Sequence, residues 1–188
     1  MADPTNITTT VNKDNPRNIN VTLTNTGMGE TGAVTVSMPE GLKDLVSLMT
    51  PSKMPSMKTG DSATVVLRFR GDKMPLNLVQ KGNLAINCEK GGGVLVYFNI
   101  KVVSEQKGGI KVRVRDENTI DGNAAGEHPY GSGATARLSD YNTGAIVASG
   151  LTDEDGYALF EDIDEGYYQL YVTADKHDSY RQNVLVSP

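Results

Sequence analysis

Tryptophan is absent from this 188-residue chain, cysteine occurs once and histidine twice. The single thiol, Cys88, excludes an intrachain disulfide and a redox cysteine pair. A small secreted eukaryotic sandwich often carries a bridge, so its absence points to a bacterial origin. Cys88 lies in an apolar, strand-like context and reads as a small buried hydrophobe. His128 falls in a polar stretch and His177 in the turn Asp175-Lys-His-Asp178, with no metal-ligand spacing between them or to Cys88. Both are expected at the surface.

Long apolar runs are also missing. No stretch approaches the ~20 apolar residues of a membrane span, so no membrane insertion is expected. Convincing helical periodicity is scarce, and Gly41 to Met49, held between Pro39 and Pro51, reads as a short strand or irregular crossover. There is no Gly-x-Ser-x-Gly elbow and no phosphate-binding loop. Carboxylates are plentiful, but paired-carboxylate hydrolysis needs a cleft that small sandwiches rarely provide. The chain is not expected to be an enzyme.

Charge is uneven. Residues 1–106 carry 11 Lys and Arg against 9 Asp and Glu, a net +2, whereas residues 107–188 carry 7 against 14, a net −7. The acidic half repels phosphate backbones, so nucleic acid is not an expected partner. The asymmetry also argues for two separate units.

What the chain does have is alternation with a period of two. Val21 and Leu23, Val34 and Val36, then Ala63, Val65, Leu67 and Phe69 each alternate with more polar neighbours. Leu84 to Ile86 begins another strand, and Val94 to Val103 is a long, nearly apolar one. Asn6-Ile-Thr8 and Asn20-Val-Thr22 match a glycosylation pattern but read as strand residues. The polar stretch ending at Gly108-Gly109 reads as a short linker. From Ile110, Val112 and Val114 alternate with Lys111, Arg113 and Arg115, giving one buried and one cationic face. Asp116 to Ser132 is polar and Gly-rich, a long loop, followed by strands near 134–139, 145–149, 157–161, 167–173 and 180–186. These spacings predict an all-β chain of two tandem antiparallel β-sandwiches: domain 1–104, linker 105–109, domain 110–188.

Residues 5–103 carry Asn20-Val-Thr-Leu-Thr-Asn-Thr-Gly27, Val34-Thr-Val-Ser-Met-Pro39 and Met57-Lys-Thr-Gly-Asp-Ser-Ala-Thr-Val-Val66. This pattern resembles bacterial Ig-like modules found beside glycosidase and surface-protein domains. In those modules an Asn-x-Gly turn closes a hairpin and a Gly-Asp-Ser-type turn precedes a late strand. Residues 108–187 carry Gly133-Ala-Thr-Ala-Arg-Leu-Ser-Asp140, Thr143-Gly144, Thr152-Asp-Glu-Asp-Gly-Tyr157 and Gly166-Tyr-Tyr-Gln-Leu-Tyr-Val172. They resemble carboxypeptidase regulatory-like modules, small sandwiches of transthyretin (prealbumin) type in large secreted proteins. The resemblance implies a unit that spaces, stiffens or binds. Collagen-adhesin B-type repeats, a related family, form Lys–Asn isopeptide bonds under a buried Glu. Here Arg115 stands in place of the Lys and Tyr171 near the place of the Glu, with Asn183 in place of the Asn, so no crosslink is expected.

Two candidate sites remain. Asp153 and Asp155, with Asp162 and Asp164 nearby, could hold Ca²⁺, which takes about six to eight oxygens. The run lacks a full EF-hand spacing, and the competing reading is a solvated turn built by Asp153, Asp155 and Gly156. No other cofactor is implied. Seven of the eight tyrosines lie beyond residue 107: Tyr130, Tyr141, Tyr157, Tyr167, Tyr168, Tyr171 and Tyr180. Tyr168, Leu170 and Val172 are expected to face the core, and Tyr167, Gln169 and Tyr171 to face out. Tyr167 and Tyr171 are therefore the candidate ligand-binding pair, since exposed rings stack on sugars or anchor protein contacts.

The start Met1-Ala-Asp-Pro reads as an internal fragment given an initiator Met. The expectation is a non-catalytic structural or adhesion piece of a larger secreted or cell-surface bacterial protein. Its expected partners are neighbouring domains of the parent chain, and polysaccharide or a host or cell-surface protein. The alternative is a carbohydrate-binding accessory module attached to a hydrolase.

Overall fold

A computed structural model of the chain describes residues 1–115 and 131–188. The expected loop 116–132 falls almost wholly outside the described residues, and with it Asp116, His128 and Tyr130. The chain divides into two compact units, Met1–Val103 and Ser104–Pro188.

The first unit is a sandwich of two sheets. One sheet has the order β1 (Ala2–Asp3), β3 (Arg17–Thr24), β7 (Ser62–Phe69), β5 (Val46–Leu48). The other runs β2 (Asn6–Asn12), β9 (Val94–Val103), β8 (Val79–Cys88), β4 (Val34–Ser37), β6 (Lys53–Met54). The alternating apolar residues fill the space between them: Val21, Val65, Leu67, Phe69, Leu84 and Val96 are each 0% exposed. Phe69 and Phe98 meet edge to face, ring centroids 5.6 Å apart, the arrangement favoured by the ring quadrupoles. Cys88 is half-buried at the end of β8 and packs against this core rather than within it. Residues 40–48 form a 3₁₀ turn, Glu40–Leu42, followed by β5.

Three features differ from the sequence reading. β2 pairs with β9 in parallel, Ile7 opposite Phe98 and Val11 opposite Val102, so one edge pair departs from the antiparallel pattern. Periodicity reports which face a residue takes, not strand direction. Asn25-Thr-Gly27 does not close a hairpin, because β3 and β4 belong to different sheets. The buried Asn25 side chain instead pins the crossover. Its Nδ2 donates to the carbonyls of Gly29 (2.8 Å) and Met57 (3.0 Å), and its Oδ1 accepts from the Gly27 N–H (3.0 Å).

The third difference concerns the second unit. Its first strand, β10 (Lys107–Arg113), starts before Ile110, so residues 107–109 are strand rather than linker. Gly108 is there for close approach: a Cβ would lie 2.0 Å from the carbonyl oxygen of Ser187. β10 pairs with β13 (Tyr157–Asp164). A four-stranded sheet with the order β12 (Ile146–Leu151), β11 (Thr135–Asp140), β14 (Gly166–Thr173), β15 (Tyr180–Val186) covers the other side of the core. Ala134 and Ala136 are 0% exposed and, being small, let the facing layer come close. Tyr168, Leu170 and Val172 point inward, as the alternation requires. The chain is all-β, built of antiparallel sandwiches with, among the described residues, that one parallel pair.

Candidate functional site

The turn Thr152 to Tyr157 is built by one carboxylate. Asp153 Oδ1 accepts from the backbone N–H groups of Asp155 (3.0 Å) and Tyr157 (2.7 Å). The Gly156 N–H bonds the Asp153 carbonyl at 3.0 Å, and Gly156 takes φ +77°, a conformation that favours glycine. Asp162 and Asp164 lie toward the far end of β13, about 17 and 23 Å from Tyr157 at the turn by strand rise. Asp164 pairs there with Lys107 at 2.5 Å, and this partner holds the Lys107 ammonium above the ordinary lysine value. The four carboxylates therefore do not converge. Among the described residues no group of three or more His, Cys, Asp or Glu is placed to hold a metal ion.

Behind the same turn, Thr152 is 5% exposed and ties two segments together. Its Oγ1 accepts from the Ala134 N–H at 2.9 Å and donates to the Gly131 carbonyl. Tyr168 is likewise committed to structure. Its phenol donates to the Asp164 carbonyl at 2.8 Å, and burial pushes its pKa up to about 12.

Tyr141 and Tyr180 are the most exposed described tyrosines of the second unit, at 47% and 53%, and the other four described ones divide into three environments. Tyr168 belongs to the core. Tyr157 lies on the outer side of the β10–β13 pair beneath its own cations, with Lys111 Nζ 3.9 Å and Arg113 Cζ 4.8 Å from the ring centroid. Tyr167 and Tyr171 are on the outer face of the four-stranded sheet, both half-buried, about 13 Å apart along β14 by strand rise.

Register defines this outer face row by row. Arg181 on β15, Tyr171 on β14, Arg137 on β11 and Ser149 on β12 are successive cross-strand partners. The next row is Asn183, Gln169, Ser139 and Ile146, and beyond it Leu185 stands opposite Tyr167. The Arg181 guanidinium carbon lies 5.3 Å from the Tyr171 ring centroid. The sequence reading identified the two tyrosines but not Arg137 and Arg181. Alternation puts both arginines outward, yet only the pairing of β14 with β11 and β15 sets them beside Tyr171.

In the first unit a recess lies among Asn25, Met28, Met57, Cys88 and Gly92. The buried amide in its wall, Asn25, has both its donors and its oxygen engaged by the bonds described above.

No protein-family model matches the chain, and no curated protein matches it. Solved structures with some likeness include the CupB2 chaperone of Pseudomonas aeruginosa, 15% identical with a TM-score of 0.36, spanning 97% of this chain and 98% of that one. The E. coli chaperone DraB is 10% identical with a TM-score of 0.43, spanning 100% of this chain and 97% of that one. BcpA, the major pilin subunit of Bacillus cereus, is 14% identical with a TM-score of 0.33, spanning 96% of this chain and 63% of that one. At these scores the fold rests on this chain's own strand pairing. Among the described residues no helix is long and apolar enough to cross a membrane.

Proposed function

We propose that the chain is a pair of non-catalytic modules of a larger secreted or cell-surface bacterial protein, serving structure and adhesion. The observation that supports this most is that each unit closes its own apolar core. What such a unit offers a partner is its sheet faces and strand edges. The second unit has one face where aromatic, cationic and amide side chains are arranged in register. That face favours adhesion over spacing alone, and also fits an accessory module that brings a hydrolase to its polysaccharide. The resemblance to carboxypeptidase regulatory-like modules, carried by Gly133, Thr152 to Tyr157 and Gly166, supports the same class. Calcium has no assigned part in it.

The test is to incubate the purified chain with a panel of insoluble and soluble polysaccharides and with immobilised cell-surface proteins. Retention without cleavage is the expected result. Release of new reducing ends or peptide fragments by the pure chain overturns the reading. Failure to be retained by any member of the panel leaves it a spacer.

A further inference from the structure

The outer face of the four-stranded sheet differs in charge from the unit that carries it. Residues 107–188 contain 14 Asp and Glu against 7 Lys and Arg. The outward positions of this sheet contain no carboxylate. They are Thr135, Arg137 and Ser139 on β11, their partners Leu151, Ser149 and Ile146 on β12, alternate residues from Tyr167 to Thr173 on β14 and from Arg181 to Leu185 on β15, so exposed Ile146, Leu151 and Leu185 border the polar rows. The charged groups there are Arg137 and Arg181, both exposed, one on each side of Tyr171. Among the described residues neither guanidinium pairs with a carboxylate. Their Cα atoms stand two strand spacings apart, about 10 Å.

A guanidinium is weakly hydrated and presents a planar fork of donors that matches a carboxylate. A tyrosine presents an apolar ring on which a sugar can rest, and amides such as Gln169 and Asn183 both donate and accept, as hydroxyl groups require. An acidic module would repel an anionic polymer except where its cations are gathered, so the face also sets orientation.

We propose that this face binds an anionic glycan bearing ring carboxylates. Arg137 and Arg181 bond the carboxylates, Tyr171 and Tyr167 carry the sugar rings, and Gln169 and Asn183 meet the hydroxyls. The inference rests on the adhesion reading above and adds the chemical class of the ligand. Uronate polymers and sialylated glycans share this chemistry, so both serve as probes.

The full chain is run in affinity electrophoresis and titration calorimetry against polygalacturonate, the same polymer fully methyl-esterified, polysialic acid and poly-glutamate. Binding to polygalacturonate or polysialic acid, whichever is the source, is expected. It should weaken as salt rises, because exposed charges are screened. Esterification should abolish it. Arg137→Gln and Arg181→Gln should each weaken binding roughly ten- to 150-fold, the range for losing a charge-assisted hydrogen bond. Arg181→Lys, which keeps the charge without the fork, should fall between. Circular dichroism of each variant confirms the fold, and both positions are exposed.

Equal binding of the methyl-esterified polymer overturns the anionic assignment and leaves the adhesion reading standing. Equal binding of poly-glutamate overturns the glycan assignment in favour of an acidic protein partner. Unchanged binding by both Gln variants places the site elsewhere and overturns the proposal. So does the absence of binding to both anionic glycans, and the polysaccharide and protein panel then decides the adhesion reading separately.

Discussion

Arg181 packs against Tyr171 across the β14–β15 pair, its guanidinium carbon 5.3 Å from the ring centroid, and the two residues are direct register partners. Such an exposed cation–π contact is worth about 0.5–1 kcal/mol, so it steadies the ring more than it stabilises the unit. Tyr171→Ala should therefore change the melting temperature little while weakening glycan binding about five- to tenfold, the scale of one aromatic contact. Tyr167→Ala should act in the same direction, and Tyr171→Phe should keep most of the affinity. Calorimetry on the three variants reads this directly. Intact affinity in both alanine variants removes the tyrosines from the site.

Thr152 is a stability position. Its buried hydroxyl serves the Ala134 N–H and the Gly131 carbonyl, so Thr152→Val leaves a donor and an acceptor unmet in nearly the same shape. The expected loss is about 1–3 kcal/mol in urea unfolding. Thr152→Ser should recover most of it, because the hydroxyl returns. A valine variant as stable as the parent would show that water replaces both bonds.

Asp153 tests the calcium question against the turn. One of its carboxylate oxygens already holds two backbone N–H groups. Asp153→Ala should lower stability by about 1–3 kcal/mol whether calcium or chelator is present. The parent melting temperature should be the same in both buffers. A calcium-dependent rise that disappears in the alanine variant would instead assign Asp153 to a metal site, because a ligand that binds only the folded state raises stability.

Tyr168 predicts a limit at high pH. Its folded pKa is raised to about 12 from the ordinary value of 10.0, chiefly by burial. The folded state therefore keeps its proton after the unfolded chain has lost it. This contribution is fully present below pH 10 and is lost as pH rises toward about 12, since the unfolded state then binds fewer protons. Urea unfolding at pH 9 and pH 11 on the parent and Tyr168→Phe should show a steeper decline in the parent over roughly this interval. The phenylalanine variant starts lower by about 1 kcal/mol, having lost the bond to the Asp164 carbonyl. Equal slopes in the two proteins would show that Tyr168 ionises as freely folded as unfolded.

Much of the fold was legible because a strand sends successive side chains to opposite faces. The alternation of Val65, Leu67 and Phe69, or of Tyr168, Leu170 and Val172, is enough to say that a strand is present and which side is buried. Turn chemistry was equally local. Asp153 and Gly156 form their turn with groups at most four residues away, so the run Thr152 to Tyr157 carries its own geometry. Gly108 and Gly109 suit a linker by composition because glycine marks a flexible linker and a crowded backbone alike, and only Ser187 beside the first and Phe160 beside the second, both distant in sequence, tell the two apart. Strand partners are the part that local pattern does not carry. The parallel β2–β9 pair, the sheet change after Asn25 and the row Arg181, Tyr171, Arg137 all join residues far apart along the chain. Local pattern is enough for an all-β chain with outward tyrosines. That two arginines flank one of them comes from strand pairing across the sheet, because long-range pairing is settled by core packing and loop closure, not by the spacing of neighbours.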